Sequence, residues 1–477
     1  MKTYVYKHIR VLATVIAFAP AVGLANNLQI SNVSIVNPSA GQADIQFTLS
    51  WDNSWHETWT EAGGTISVTN WDAVWIFAKY RQNGGLWKHV HFTATGHTAT
   101  GGTVIEVPHD GDGARPGAFV RRNATGTGTV TCTDMKLHVD IAAAGLPSAD
   151  DIDISVMGIE MVYIPTGAFH LGSGGSEQQH FHTAADTNTT YLVGSEAAIT
   201  MGTETGNLNA TGAITHGSLP VDFPKGYKAF YCMKYEITEG QYVDFLNLLD
   251  PGIAGSYFPA QSNYRHTITA AAGGGYESAA PDRACSYIGS LNRALTYLDW
   301  AGLRPMTELE YEKVCRGQKQ PWVNEFPWGN TTVTNITGFD GTDGSGTETA
   351  IPTNTNAHLS EGVSGPVRAG IFATDTTTRE QAGAGYYGVM ELGGNLWEFV
   401  VSVARSQGLP FSGAHGDGDE YTGYGNQWPD SSYAYARRGS SFYAGWQAAR
   451  TSHRNDGNTT AENAESGARG VRTAPNP

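Results

Sequence analysis

The chain has 477 residues, only 16% of them charged, and its 45 acidic residues outnumber 29 Lys and Arg for a net charge of −16. That balance disfavours nucleic acid and anionic membrane surfaces as partners, since both are polyanions. With 40% apolar residues, 12 Trp and 22 Tyr, core material is ample, while 59 Gly indicate a turn-rich, β-leaning extracellular protein rather than a disordered one.

The N-terminus reads as a secretory signal. Lys2, Lys7, His8 and Arg10 are basic, Val11 to Val22 is mostly apolar, and Gly23, Leu24 and Ala25 offer small residues for cleavage after Ala25. The apolar run is broken by Pro20 and falls short of the about 20 residues a membrane helix needs. No later segment is long enough either, so export to the medium or cell surface is expected, with no transmembrane segment after cleavage.

Residues 26–150 alternate as short strands. Ala43-Asp-Ile-Gln-Phe-Thr-Leu-Ser-Trp51 has period two, Asp72-Ala-Val-Trp-Ile-Phe-Ala-Lys-Tyr80 is apolar enough for a central strand, and Asn83-Gly-Gly85 leads into a hairpin partner. This pattern predicts an antiparallel β-sandwich of immunoglobulin-like size. His89 and His91 share one strand face, an arrangement that holds a metal or is simply polar surface. Pro147-Ser-Ala-Asp-Asp151 reads as a linker.

Beyond it the character changes. Residues 172–220 are rich in Gly, Ser, Thr and Asn, too long for a plain connection and expected to be a functional loop or insertion. Thr238-Glu-Gly-Gln241 and Thr307-Glu-Leu-Glu310 are capping boxes that open two helices. Between them, Leu291 to Trp300 has helical period and ends at Gly302. After Asn330 loops dominate.

Seven segments together resemble the formylglycine-generating, sulfatase-modifying family. They are Met161-Val-Tyr-Ile-Pro-Thr-Gly-Ala-Phe169, Lys234-Tyr-Glu-Ile-Thr-Glu-Gly-Gln-Tyr242, Ala301-Gly-Leu-Arg-Pro-Met-Thr-Glu-Leu-Glu-Tyr-Glu312, Phe326-Pro-Trp-Gly-Asn330, Gly388-Val-Met-Glu-Leu-Gly-Gly-Asn-Leu-Trp-Glu398, Arg438-Gly-Ser-Ser-Phe442 and Gly470-Val-Arg472. Each alone is weak; all seven in order are specific. The resemblance implies a C-type-lectin-like domain rich in irregular structure over 151–477, and so a chain that is mostly β with α+β character.

It also implies calcium, whose many oxygen ligands suit loops poor in regular hydrogen bonds. By resemblance one site falls on Glu391, Gly394, Leu396 and Glu398, the glycine and leucine through main-chain oxygens. A second begins at Asn335 and Ile336 and closes through an acid in Asp340-Gly-Thr-Asp-Gly344. The acidic loop His415-Gly-Asp-Gly-Asp-Glu420 is a further cation candidate or a bare turn.

The chemistry of the resembled family needs two late cysteines, because a thiolate is its copper ligand and reductant. Here Ala444 stands at the first cysteine position and the second is deleted by a shortening before Ala448. The four cysteines, Cys132, Cys232, Cys285 and Cys315, all lie earlier, with disulfide pairing open. No catalytic residue is therefore assigned. The aromatic-rich C-terminal loops, with Tyr424, Trp428, Tyr443 and Trp446, are expected to form a ligand or partner surface. The favoured reading is an exported non-catalytic binding protein whose partner is an extracellular ligand, a protein or another copy. The alternatives are a structural subunit of an extracellular filament and an enzyme of the same superfamily with different chemistry.

Overall fold

The computed structural model describes residues 27–475 except 40, 62–63, 65, 142–151, 361, 375, 419–427 and 456–461. The expected signal peptide, the linker and Tyr424 lie outside the described residues. The chain is mostly β with few helices.

Strands β1 (Gln29–Ser39), β2 (Gln42–Thr60), β3 (Ser67–Gln82), β4 (Ala118–Arg122) and β5 (Gly126–Asp140) form the N-terminal unit. β1 and β5 pair antiparallel with β2, while β4 pairs with β3. Between these two layers lies one core, with Ile45, Phe47, Leu49 and Trp51 of β2 facing Val74, Ile76 and Ala78 of β3. The alternate residues of β3, Ala73, Trp75 and Phe77, enter a second core shared with the rest of the chain. Burial on both faces explains the unbroken apolar run of this strand.

That second face changes the organisation expected from sequence. β6 (Ile152–Ile164) pairs with β3 from Asp72–Val162 to Gln82–Ile152, and on its other side pairs with β7 (Phe230–Met233). One thirteen-stranded sheet therefore crosses from the N-terminal unit into the C-terminal region. In the C-terminal region it continues through β8 (Arg304–Thr307), β9 (Glu398–Val401), β10 (Tyr435–Arg438) and β11 (Gly470–Thr473), in the spatial order β7-β11-β8-β9-β10.

Four helices decorate this sheet: α1 (Glu239–Leu248), α2 (Pro251–Tyr257), α3 (Leu291–Trp300) and α4 (Glu308–Arg316). Both capping boxes form. Thr238 accepts from the Gln241 amide at 3.3 Å and Thr307 from the Glu310 amide at 3.1 Å, each returned by the partner side chain. α2 carries no period because it is only seven residues, about two turns, and contains two glycines; its only signals are the Asp250 cap and Pro251.

α3 lacks a basic residue in its last turn. Its end is instead capped by the N-terminal unit and the C-terminal strand. Lys79 Nζ donates to the Trp300 carbonyl at 2.8 Å, Trp75 Nε1 to that of Ala301 at 2.8 Å, and Arg472 to that of Gly302. These satisfy carbonyls a helix end leaves orphaned.

The stretch after residue 172 is not an open loop. Phe181–Thr183, Ile199–Met201, Leu208–Ala210 and Gly217–Leu219 make a small four-stranded sheet. Phe181, Met201, Leu208 and Leu219 deliver it to the main core. Its strands are three residues long, too short to register as alternation. All four cysteines are free and buried.

Candidate functional site

β10 ends at Arg438 and the chain turns through residues 439–445 into a 3-10 turn, Trp446–Ala449. Ser441 organises the turn: its Oγ donates to Glu465 at 2.7 Å and accepts from the Tyr443 and Ala444 amides at 3.3 and 3.2 Å. Phe442 points inward, its amide donating to the Asn395 carbonyl at 2.8 Å and its ring 5.9 Å from both His358 and Tyr264.

Outside, Tyr443 is 67% exposed and Trp446 46%. Trp446 is held from behind by Arg450, 4.9 Å from its ring, and by Phe326 at 6.4 Å. Arg450 is fixed in turn by donating to Asn324 Oδ1 at 3.1 Å. Trp428 does not share this surface: it is buried, with its indole N–H donating to the Ala414 carbonyl at 2.8 Å. It lies in a loop without period, where core and surface aromatics look alike in sequence. Trp322 (70% exposed) and Val323 are also exposed, a few residues before Phe326, whose ring lies 6.4 Å from Trp446, and sequence reasoning missed them.

Backbone strain concentrates here. Apart from Asn and Asp, which tolerate the left-handed region, the described non-glycine residues with φ between +51° and +70° are Gln179, Tyr264, Arg265, Tyr287, Glu391 and Ser440. All but Gln179 adjoin the Phe442 turn. Tyr287 packs with Phe442 and Leu396, Tyr264 meets the Phe442 ring, and Gly394 N donates to the Gly439 carbonyl at 2.6 Å. Each such residue costs about 1–3 kcal/mol and persists only where its surroundings over-determine it.

Behind the turn lie three buried glutamates. Glu398 Oε1 accepts from Arg469 Nη2 at 2.7 Å and from Nε at 2.9 Å. Glu391 Oε1 accepts from the Gly370 amide at 2.9 Å, and Glu236 accepts from the Leu396 amide at 2.9 Å and from Asn395. Burial pushes the Glu391 carboxyl up to about 7 and that of Glu236 well above its usual range, with Arg469 opposing both. Burial also raises Glu398, with Arg469 opposing.

The second oxygens of Glu391 and Glu398 are buried without a hydrogen-bond partner. Among the described residues no three carboxylate, imidazole or thiol groups converge as a metal cage. That count omits main-chain oxygens, and the two orphaned carboxylate oxygens are of the chemical type a hard oxygen-seeking cation takes. The residues of the expected Asn335 set make the following contacts. Asn335 Oδ1 is taken by the Leu359 amide at 2.8 Å, the Ile336 amide donates to Ala357, and Asp343 is drawn away to Arg265 and Arg283.

A second ionic cluster surrounds α4. Arg438 Nη2 donates to Glu312 at 2.9 Å, Arg454 forks onto Glu308 at 2.7 and 2.9 Å, and Arg316 bonds Glu325 and, at 3.3 Å, Glu312. Burial alone would raise Glu308, but Arg454 and Arg438 outweigh it and hold the carboxyl below its usual value.

The remaining candidates are structural. His89 Nδ1 accepts from Lys79 Nζ at 2.9 Å and its Nε2–H donates to the Pro116 carbonyl at 2.6 Å, and burial lowers it well below the usual imidazole range. His415 bonds Asp110 at 2.8 Å, stitching its loop to the N-terminal unit, while Asp419 and Glu420 lie outside the described residues.

The sulfatase-modifying factor enzyme 1-like domain matches residues 156–474. No curated protein matches the chain. Among solved structures it is similar to PvdO from Pseudomonas aeruginosa, at 16% identity over 66% of this chain and 95% of that one, with a TM-score of 0.35. No helix of the described residues is long and apolar enough to cross a membrane. With two thirds of its length matched, the chain belongs to the sulfatase-modifying factor enzyme 1-like family.

Proposed function

We propose that this is an exported, non-catalytic recognition protein, in which the family's reactive cleft has become a contact surface centred on Tyr443 and Trp446. The observation that carries the reading is the turn itself. Two exposed rings are held three positions apart on a backbone fixed by Ser441, Phe442 and strained neighbours, with Ala444 between them. Rigid aromatic residues supply large contact area at low entropic cost. Oxidative chemistry would need a thiolate at this turn, whereas all four cysteines are buried elsewhere and burial raises each thiol.

Calcium in this reading is structural. The Glu391 and Glu398 carboxylates would hold it together with main-chain oxygens of Gly394 and Leu396, fixing the loop that carries Asn395. The expected N-terminal signal supports a site outside the cell, where calcium is plentiful.

The test is the pair Tyr443→Ala/Trp446→Ala in the full chain. Expected is loss of ligand capture or of self-association, read by sedimentation and by negative-stain microscopy, with an unchanged melting temperature. Retention of both by a well-folded pair variant would move recognition elsewhere in the molecule.

A further inference from the structure

We infer that Lys234 and Asp72 condense into an isopeptide bond, with Glu160 as the acid–base catalyst, so that the N-terminal unit is strapped covalently to the C-terminal region. The three side chains stand on adjacent strands of one sheet. Asp72 opposes Val162 across β3 and β6, Met233 opposes Met161 across β6 and β7, and the Lys234 amide donates to the Glu160 carbonyl at 2.9 Å as the next rung. Because strand side chains alternate, Asp72, Glu160 and Lys234 share one face, with Asp72 diagonal to Glu160. Lys234 Nζ lies 3.2 Å from Glu160 Oε2 and 3.8 Å from Asp72 Oδ2.

The surroundings favour condensation over a lasting ion pair. All three side chains are buried, Asp72 completely, and the Trp55 ring lies 4.6 Å from Nζ. Buried charges are costly to hold even when paired, and an amide carries none. Two acids share this lysine. Burial raises both, Glu160 to about 8, with Lys234 opposing in each case. A carboxylic acid is therefore present beside the amine near neutral pH. Asp72 Oδ1 accepts from Ser54 Oγ at 2.7 Å and from the Trp55 amide at 3.0 Å, and Oδ2 from the Trp51 indole at 3.1 Å. These donors fix the carboxyl, and the pair on Oδ1 steadies the negative charge that develops there during attack.

Nζ passes one proton through Glu160 to Asp72 Oδ2, leaving a neutral amine beside a carboxylic acid. The Nζ lone pair then attacks Cγ and the N–C bond forms. A second proton follows the same route, the Cγ–Oδ2 bond breaks and water leaves. Nζ has lost two protons, Oδ2 has left with both, and Glu160 ends as it began, so no oxidant or cofactor is consumed. Fixing both reactants on one sheet supplies the proximity that gives well-oriented intramolecular reactions effective molarities of about 10⁵–10⁸ M.

The test is peptide mapping of the purified full chain, denatured and digested with trypsin. Expected is a branched peptide joining the Asp72 and Lys234 segments, one water lighter than their sum, with no cleavage after Lys234. Glu160→Gln, checked for folding by its melting curve, should lower the linked fraction about tenfold or more. Separate, unmodified Asp72 and Lys234 peptides from a folded wild-type chain held at neutral pH would overturn the inference. So would a Glu160→Gln chain that links as fully as wild type. Should that variant fail to fold, the wild-type map alone decides.

Discussion

Helix α4 and the 391–398 loop are each backed by three buried glutamates, yet they are answered differently. Around α4, Glu308, Glu312 and Glu325 face Arg316, Arg438 and Arg454, one cation for each acid. Behind the Phe442 turn, Glu236, Glu391 and Glu398 have Arg469 as their only directly bonded cation among the described residues. The first cluster is neutral as built and needs nothing further. The second carries an excess of two negative charges when fully ionised, which a pair of protons or one divalent cation would cancel. Burial raises two of its three carboxyls, because neither is directly bonded to a cation and the nearby Arg469 only partly offsets the cost. One cluster is thus a fixed clamp, and the other responds to what the solution supplies.

Breaking the clamp should give the largest effect. Arg438→Ala removes the bonds to Glu312 and to the Thr451 carbonyl and leaves buried acid uncompensated. The expected loss is about 3–5 kcal/mol in denaturant unfolding. A loss under about 1 kcal/mol would mean the α4 network is not the balanced unit described.

The responsive cluster should be softer. With calcium at about one hundred times its dissociation constant, ligation adds about 2.7 kcal/mol, so chelation should lower the melting temperature of the wild-type chain. Glu398→Ala should erase that difference. A melting curve indifferent to chelation, with no ion retained by the purified protein, would reduce Glu391 and Glu398 to a proton-neutralised pair.

The acid excess recurs at the seam between the N-terminal unit and the rest, where Glu160 and Asp72 share Lys234 at 3.2 and 3.8 Å. Burial pushes Glu160 up to about 8 from an ordinary 4.5, Lys234 opposing and Asp72 reinforcing. Between those values the folded chain holds a proton the unfolded chain has released, so stability should fall as pH rises from 4.5 to about 8. Glu160→Gln should flatten that decline by about 1–2 kcal/mol, measured as unfolding free energy against pH. An unchanged profile would show that Lys234 keeps Glu160 ionised throughout.

The smallest effect belongs to the surface. Tyr443→Ala/Trp446→Ala removes largely exposed rings, the packing of Trp446 on Phe326 and Arg450 being the part lost, and the stability cost should stay under about 1 kcal/mol. A larger loss in denaturant titration would make these rings structural.

What the sequence disclosed follows from what has a period or a motif. The capping boxes at Thr238 and Thr307, the doubly buried strand through Trp75 and the ordered family segments were all legible. That the strand from Ile152 would pair with Asp72–Gln82 was not, because such long-range pairing leaves no local signal. Three-residue strands after residue 172 and the seven-residue α2 are too short to show alternation or helical spacing. The site was half legible: Tyr443 and Trp446 lie where aromatic composition suggested, whereas Trp428 is core and Trp322 sits in an isolated turn with no signal of its own. The charge imbalance was invisible, because pairing Glu398 with Arg469 depends on residues 71 positions apart meeting in space.

Replacement of the reactive thiol by Ala444 is the claim on which the functional account turns. The direct measurement is mass spectrometry of a sulfatase-type cysteine peptide incubated with the purified full chain, oxygen and a reductant, with and without copper. The account predicts an unmodified cysteine indistinguishable from a protein-free control under both conditions. Formylglycine above that control would contradict it and return this turn to catalysis.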